Sequence, residues 1–435
     1  MPPSWSNWTG DQRCAPVAIE RPRSLEELRR TVAGAAAAGR SIRAAASGHS
    51  FSDIALTDGV MVRLDALTRP LDFDPASGLF KVEGGIVLGG LNRALDARGV
   101  AFENLGDIDR QSVAGSISTG THGTGERFQN VSAQIAALEL VTAEGDVVEV
   151  SESEADRGLL RAARVGLGAL GVVYSVTVRT VPAFTLDRVD SPRPLADTLA
   201  GLDELNAGAD HFEFYVFPGT DVALCRESRR TGDAPAPRHP ALVYAQEVGL
   251  ENWVGQVFAL AARRVPSQAP RLSRIASRGV GRSRKIDRSY RVFASERRIR
   301  FTEMEYGLPR EHAREAVERV LAEAARPEHA VAYPIEVRFV AADDSYLSPS
   351  QGRDTCYIAV HQDRRLAWEP YFRAVEAIAR DLGGRPHWGK RHFLTAGELA
   401  PLYPGWDEFA RARARLDPAN VFRNVYTDRV LGPPR

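Results

Sequence analysis

At 435 residues the chain is long for a single hydrophobic core and suits two domains. Its 56 basic and 56 acidic side chains cancel, which leaves no electrostatic footprint for DNA, RNA or an anionic membrane. Cys14, Cys225 and Cys356 show neither CxxC spacing nor a Cys/His cluster, so neither a disulfide framework nor a metal site is expected. The opening Met1-Pro2-Pro3-Ser4-Trp5 has no charged leader or apolar signal core, and no apolar run approaches the roughly 20 residues that span a bilayer. A cytoplasmic location is the expectation.

Taken in chain order, Ser24-Leu25-Glu26-Glu27 forms a capping box that opens a helix over 24–38, closed by Gly39 at C′. A strand over 41–44 delivers the chain into Ala44-Ala45-Ala46-Ser47-Gly48-His49-Ser50-Phe51. Apolar alternation predicts strands around 60–64 and 79–83, and a helix follows near 88–98. A second loop of small residues, Gly115 to Gly125, leads into strands over 137–142 and 147–150 around a Glu144-Gly145-Asp146 turn. The strand 174–180 closes this half, and Pro182 to about Pro194 reads as a transition. Beyond it, alternation predicts strands over 211–217, 300–306, 335–340 and 355–361, with amphipathic helices near 311–325 and 367–381. The Arg-, Pro- and Ser-rich stretches 219–240 and 262–289 read as surface loops or short irregular helices.

Two loops carry the chemistry. Their Gly, Ser and Thr residues expose backbone N–H groups with little obstruction, which is what the pyrophosphate of a dinucleotide needs. His49, in the first loop, is then placed to meet the cofactor's ring system, so the pair of loops points to FAD. Other phosphate-binding signatures do not fit. Gly84 to Gly90 does not match GxGxxG, and Gly384 to Arg391 lacks the Ser or Thr that ends a GxxxxGK[ST] loop.

Ser47-Gly48-His49-Ser50, Ser112-Val113-Ala114-Gly115, Thr119-Gly120-Thr121-His122-Gly123, Met304-Glu305-Tyr306, Glu336-Val337-Arg338, His387-Trp388-Gly389-Lys390 and Asp417-Pro418 with Phe422 occur in this order. Together they resemble the vanillyl-alcohol-oxidase flavoprotein family, most closely its branch of aldonolactone oxidases, aldonolactone dehydrogenases and alditol oxidases. The resemblance implies an α+β fold. It would have a two-part FAD-binding domain over 1–180, a cap domain with a mostly antiparallel sheet over 181–385, and a segment 386–435 returning to the FAD domain. It implies FAD contacts from Ala45, Ala46, Ser47, Gly48, Ser50, Gly106, Asp107, Ser112, Gly115, Thr119, Gly120, Thr121, His122 and Val173. In this branch the histidine matching His49 bonds covalently to the 8α carbon of the flavin, which raises its potential. His122 is assigned a packing or hydrogen-bonding role.

Glu336 and Arg338 stand two apart in an alternating strand, so they project together, away from Ile335, Val337 and Phe339. A solvent-facing salt bridge and a polar floor for a sugar are both compatible with that spacing, and the resemblance favours the floor. It likewise places His361 at the pocket and Lys390 beside the flavin, where a cation balances developing negative charge. Glu303 and Glu305 share a face that suits solvent as well as a site. The implied reaction is oxidation of a sugar 1,4-lactone of the L-gulono type, with hydride passing from a carbinol carbon to flavin N5. Glu336 or His361 takes the hydroxyl proton, Arg338 orients the substrate, and electrons pass to O2, a cytochrome or a quinone. Gly106 stands where this family has a residue gating oxygen, and leaves that approach open. Asp107 and Asp363 depart from the alditol-oxidase pattern, which favours a lactone over xylitol or sorbitol. A non-catalytic flavin- or sugar-binding protein would have no need of Glu336, Arg338 and Lys390 together.

Overall fold

The structure is a computed structural model and describes residues 3–236, 281–295 and 300–433. Ser24 caps the first helix, Leu25–Ala37, by accepting the Glu27 amide at 3.2 Å. The Glu27 carboxylate reaches past the cap to the Arg23 amide, 2.8 Å away. Gly39 takes φ +67° to end the helix, as its C′ position requires. The helix buries Leu28, Val32 and Ala35 on one face.

A parallel three-stranded sheet follows, in the order Ala18–Glu20, Val60–Arg63, Ile42–Ala45. A five-stranded antiparallel sheet lies beyond it, in the order Val147–Ser151, Ile135–Val141, Val172–Arg179, Leu79–Glu83, Pro70–Asp74. One continuous apolar core joins both sheets to the remainder, from Leu28 and Val62 through Leu138 and Val176 to Phe214, Val337 and Tyr426.

The largest sheet is antiparallel throughout and has eight strands. Their order is Ser283–Arg288, Thr185–Pro194, Val222–Thr231, His211–Val216, Ile335–Val340, Thr355–Gln362, Thr302–Pro309, Arg385–Pro386. Its register fixes two unlike faces. On one lie Phe212, Phe214, Val337, Phe339, Ile358, Val360, Met304 and Tyr306, packed with the helices Ala313–Ala324 and Trp368–Asp381. On the other lie His211, Glu213, Tyr215, Glu336, Arg338, Tyr357, His361, Glu303 and Glu305, and most of these are buried as well. The polar face is therefore an interface, and its charges must find partners there.

That arrangement corrects two expectations. Parts of the stretches taken for loops are strands, Val222–Thr231 and Ser283–Arg288, while 237–240 and 262–280 lie outside the described residues. Arg226 joins Asp190 and Glu213 across the polar face, whereas Arg229 with Glu227 and Arg284 with Asp187 pair on the other face and are more exposed, so composition alone suggested solvent for all of them. The supposed transition at 182–194 holds a ten-residue strand, Thr185–Pro194. Among the described residues the neighbouring strand Ser283–Arg288 pairs only with 185–190, short of Pro192 and Pro194, which suits residues lacking an N–H. Among the described residues all three cysteines are free, and no helix is long and apolar enough to cross a membrane.

Candidate active site

The strand Ile42–Ala45 ends at the His49 loop, which lines an open cleft. Ala45, Ala46, Ser47, Gly48, His49 and Ser50 form one wall, and Ser112, Gly115, Thr119 and Val173 another. Gly48 adopts φ +67°, and a Cβ there would stand 2.9 Å from the Trp5 ring, so glycine is required. The Ser112 hydroxyl is engaged in capping the helix Val113–Ser118 through the Gly115 amide. The C-terminal part of the chain closes over the loop: the Phe51 amide donates to the Gly389 carbonyl at 2.7 Å, and Ser52 Oγ to the Trp388 carbonyl at 3.0 Å.

The His49 ring is half-buried and stacks on Trp8, with centroids 5.3 Å apart. Its Nδ1 is buried with no hydrogen-bond partner. Burial, then the Lys390 and Arg110 cations, push its pKa down to about 4, so the imidazole is neutral at physiological pH. A cleft walled by small residues, bordered by a neutral imidazole with a free nitrogen, fits a dinucleotide whose ring system is held at His49.

Gln111 belongs to this cleft and also to a second cavity, lined by Gly106, Asp107, Thr121, His122, Glu303, Glu305, Glu336, Arg338, His387 and Lys390. Four of the residues expected at the cofactor, Gly106, Asp107, Thr121 and His122, thus stand at this second cavity, and Gly120 lines neither. The sheet register explains the cavity floor. Glu213 pairs with Arg338 and Tyr215 with Glu336, while Glu303 pairs with His361. The Arg338 guanidinium bridges Glu336 and Glu213, the latter at 2.8 Å, with Asp107 3.6 Å away. Burial works against its charge, but these carboxylates hold its pKa well above the usual value.

Lys390 Nζ lies 2.6 Å from Glu303 Oε2. Burial would raise the Glu303 pKa, yet Lys390 and then His361 hold it near 2. Glu305 meets His122 Nε2 at 3.0 Å, and His122 Nδ1 donates to the Gly123 carbonyl at 2.9 Å. The His122 ring stacks on Tyr357, with centroids 3.6 Å apart. His122, Glu305 and His387 bring potential ligand atoms within 4.8 Å of one another, but both His122 nitrogens are engaged and His387 Nδ1 accepts the Gly389 amide. Burial first, and Lys390 also, lower the His387 pKa to about 3.

Glu303 and Glu305 are each 4% exposed, so the solvent-facing alternative for them is overturned. His361 stands behind the cavity rather than in it. Its Nδ1 donates to the Pro334 carbonyl at 3.2 Å and its Nε2 lies 3.5 Å from Glu303. Asp363 is bound to Arg365 at 3.1 Å and lines neither space.

The D-arabinono-1,4-lactone oxidase family matches residues 176–430, and the FAD-binding domain family matches residues 16–151. The chain belongs to the D-arabinono-1,4-lactone oxidase family. It is 52% identical to an L-gulono-1,4-lactone dehydrogenase of Mycobacterium tuberculosis over 433 residues, covering 100% of both chains. It is 32% identical to the L-gulonolactone oxidase of Bos taurus, covering 98% of each. A cholesterol oxidase variant from Brevibacterium sterolicum shares the fold, with TM-score 0.82 and 14% identity over 98% of this chain and 96% of the other. Membership of the family fixes the vanillyl-alcohol-oxidase type of fold, the FAD-binding domain and the class of oxidoreductase.

Several residues of the site escaped the sequence reading. Trp5, Trp8, Arg43, Gln111 and Gly168 belong to the first cleft or to the histidine bordering it, and Glu213, Tyr215 and Arg226 support the second cavity. A signal existed for two of them. In His211–Val216 the residues Glu213 and Tyr215 alternate with Phe212 and Phe214, which places two polar groups on one face of a strand with no solvent-loving run beside it.

Proposed function

We propose that the protein oxidises a sugar 1,4-lactone of the L-gulono-1,4-lactone type, using FAD linked covalently through His49. The observation that carries this reading is the meeting of two spaces at Gln111: a small-residue cleft bordered by a neutral His49, and a cavity floored by Glu336, Arg338 and Lys390. The 52% identity to a dehydrogenase of that substrate supports it over the whole length. FAD, when bound, supplies the hydride acceptor.

The chain's own residues do the rest. Arg338, held charged by three carboxylates, orients the lactone's hydroxyls. Glu336 takes the carbinol proton, because it lines the cavity whereas His361 is set behind Glu303. Lys390, kept charged by Glu303 and Glu305 against the effect of burial, presents a cation to the region between the two spaces. Ala45 to Ser50, Ser112, Gly115, Thr119 and Val173 hold the dinucleotide. Gly106, Asp107, Thr121 and His122 face both it and the substrate. The organisation into 1–180, 181–385 and 386–435 follows from this division of labour, as does a cytoplasmic setting from three free thiols.

Anaerobic mixing with L-gulono-, D-arabinono- and other 1,4-lactones, beside xylitol and sorbitol, tests the substrate. Bleaching of the flavin by a lactone, faster than by either polyol, is expected; bleaching by none would leave a binding protein. Reoxidation by air against that by cytochrome c or a quinone dye then identifies the acceptor. For the covalent bond, acid-precipitated protein should remain yellow, and His49→Ala should release its colour to the supernatant. Colour released from the unaltered protein would falsify the linkage and leave the fold untouched.

A further inference from the structure

Glu336 has a neighbour that the reaction as described does not use. Across the sheet stands Tyr215, and its hydroxyl lies 2.8 Å from Glu336 Oε1 and 3.0 Å from Glu213 Oε1. A phenol has one proton to donate and a lone pair with which to accept. It cannot donate to both carboxylates at once. Arg338 is ion-paired with both of them, and Arg226 closes the far side, 2.9 Å from Glu213 and 3.4 Å from the Tyr215 oxygen. Glu213 and Glu336 are 5% and 4% exposed, so Tyr215 and the two arginines are their nearest partners on the protein side.

We propose that Tyr215 is a positioning residue for Glu336, a hydroxyl that reverses its hydrogen bond as Glu336 gains and loses a proton. While Glu336 is a carboxylate, Tyr215 donates to it. When Glu336 takes the substrate's hydroxyl proton, the substrate O–H bond breaks and a Glu336 O–H bond forms. The new acid then donates to the Tyr215 oxygen, and the phenol O–H swings to Glu213. No proton leaves the phenol and no charge passes to Glu213. An enclosed base thereby keeps a partner in both of its protonation states, where an unmet acid proton would oppose the transfer. The inference rests on Glu336 being the base for lactone oxidation.

The groups facing Glu336 are Arg338 on its own strand, Glu213 with Arg226 behind it, and Asp107, His122, Glu303, Glu305, His387 and Lys390 around the cavity. Tyr215→Phe keeps every one of these charges and removes only the hydroxyl bonds to Glu336, Glu213 and Arg226, so a displaced pH profile reports the lost hydroxyl. In that variant, reduction of the flavin by saturating L-gulono-1,4-lactone should slow about tenfold while KM stays near its original value. The acidic limb of the kcat/KM profile should move to higher pH, since the missing donor favoured the charged carboxylate.

A second measurement needs no substrate. The infrared carbonyl stretch of protonated Glu336, identified by its loss in Glu336→Gln, should grow in at higher pH in Tyr215→Phe than in the unaltered protein. An unmoved infrared titration overturns the proposal, and so does a rise in KM with the reduction rate intact. If every lactone leaves the unaltered flavin oxidised while the infrared titration still moves, the substrate assignment fails and the Tyr215–Glu336 exchange stands.

Discussion

Lys390 and Glu303 illustrate what one residue can and cannot declare. Glu303 is enclosed and Lys390 largely so, and each is the other's leading charge partner, at 2.6 Å. Removing one partner of such a pair leaves an uncompensated charge, at a cost of about 3–5 kcal/mol. Lys390→Met should therefore lower the urea midpoint sharply, and Lys390→Met with Glu303→Gln should recover most of the loss while leaving lactone oxidation disabled. A double-mutant cycle reads the coupling directly, and additive single effects would show that the pair does not form in solution. Sequence alone placed Lys390 at the site through its His387-Trp388-Gly389 context. It left Glu303 undecided because alternation assigns a side chain to a face of a strand and is silent about what covers that face.

Elements carry the next layer. In the strand Ile42–Ala45, Arg43 is 2% exposed and donates to the carbonyls of Ile54, Leu167, Gly168 and Phe422, at 2.7–3.1 Å. It ties the His49 loop, the Leu167–Gly168 turn and the C-terminal segment to one guanidinium, and the turn itself needs positive φ at both residues. Arg43→Leu would leave several enclosed carbonyls unmet, each costing about 1–3 kcal/mol. Thermal denaturation should show a large drop in Tm, and an unchanged melting curve would contradict this account. The strands over 335–340 and 355–362 were legible because their apolar residues fall on alternate positions. Those over 222–231 and 283–288 were not, since part-buried pairs such as Arg226 with Asp190 and Glu213 stand beside exposed ones such as Arg284 with Asp187, and local composition cannot distinguish the two. Arg43 was missed for a related reason: its partners are main-chain atoms, which leave no trace in residue identity.

At the scale of the whole molecule, three enclosed histidines set a response to acid. Burial, as the leading cause in each, lowers His211 to about 4, His387 to about 3, and His392 well below the usual histidine value of 6.5. Below pH 6.5 the unfolded chain binds protons that the folded one refuses, so stability falls as pH drops through that value toward 4 and 3. Glu303, held near 2, adds a contribution that is present above 4.5 and lost on further acidification. Asp343, raised to about 6 by burial, acts in the opposite sense, its contribution being complete below 3.8 and lost as pH rises through 6. Three histidines and Glu303 outnumber it, so urea midpoints measured at pH 7, 6, 5 and 4 should decline in that order; a flat or rising series would contradict the burial of these rings. The contacts of Phe51 with Gly389 and of Ser52 with Trp388 have a further consequence, one of timing. A ribosome that has released only the first three hundred or so residues has built the histidine loop but not the Trp388 and Gly389 carbonyls that hold it. Capture of the yellow cofactor must then await the final stretch of synthesis, and nascent chains stalled short of Trp388 should emerge colourless.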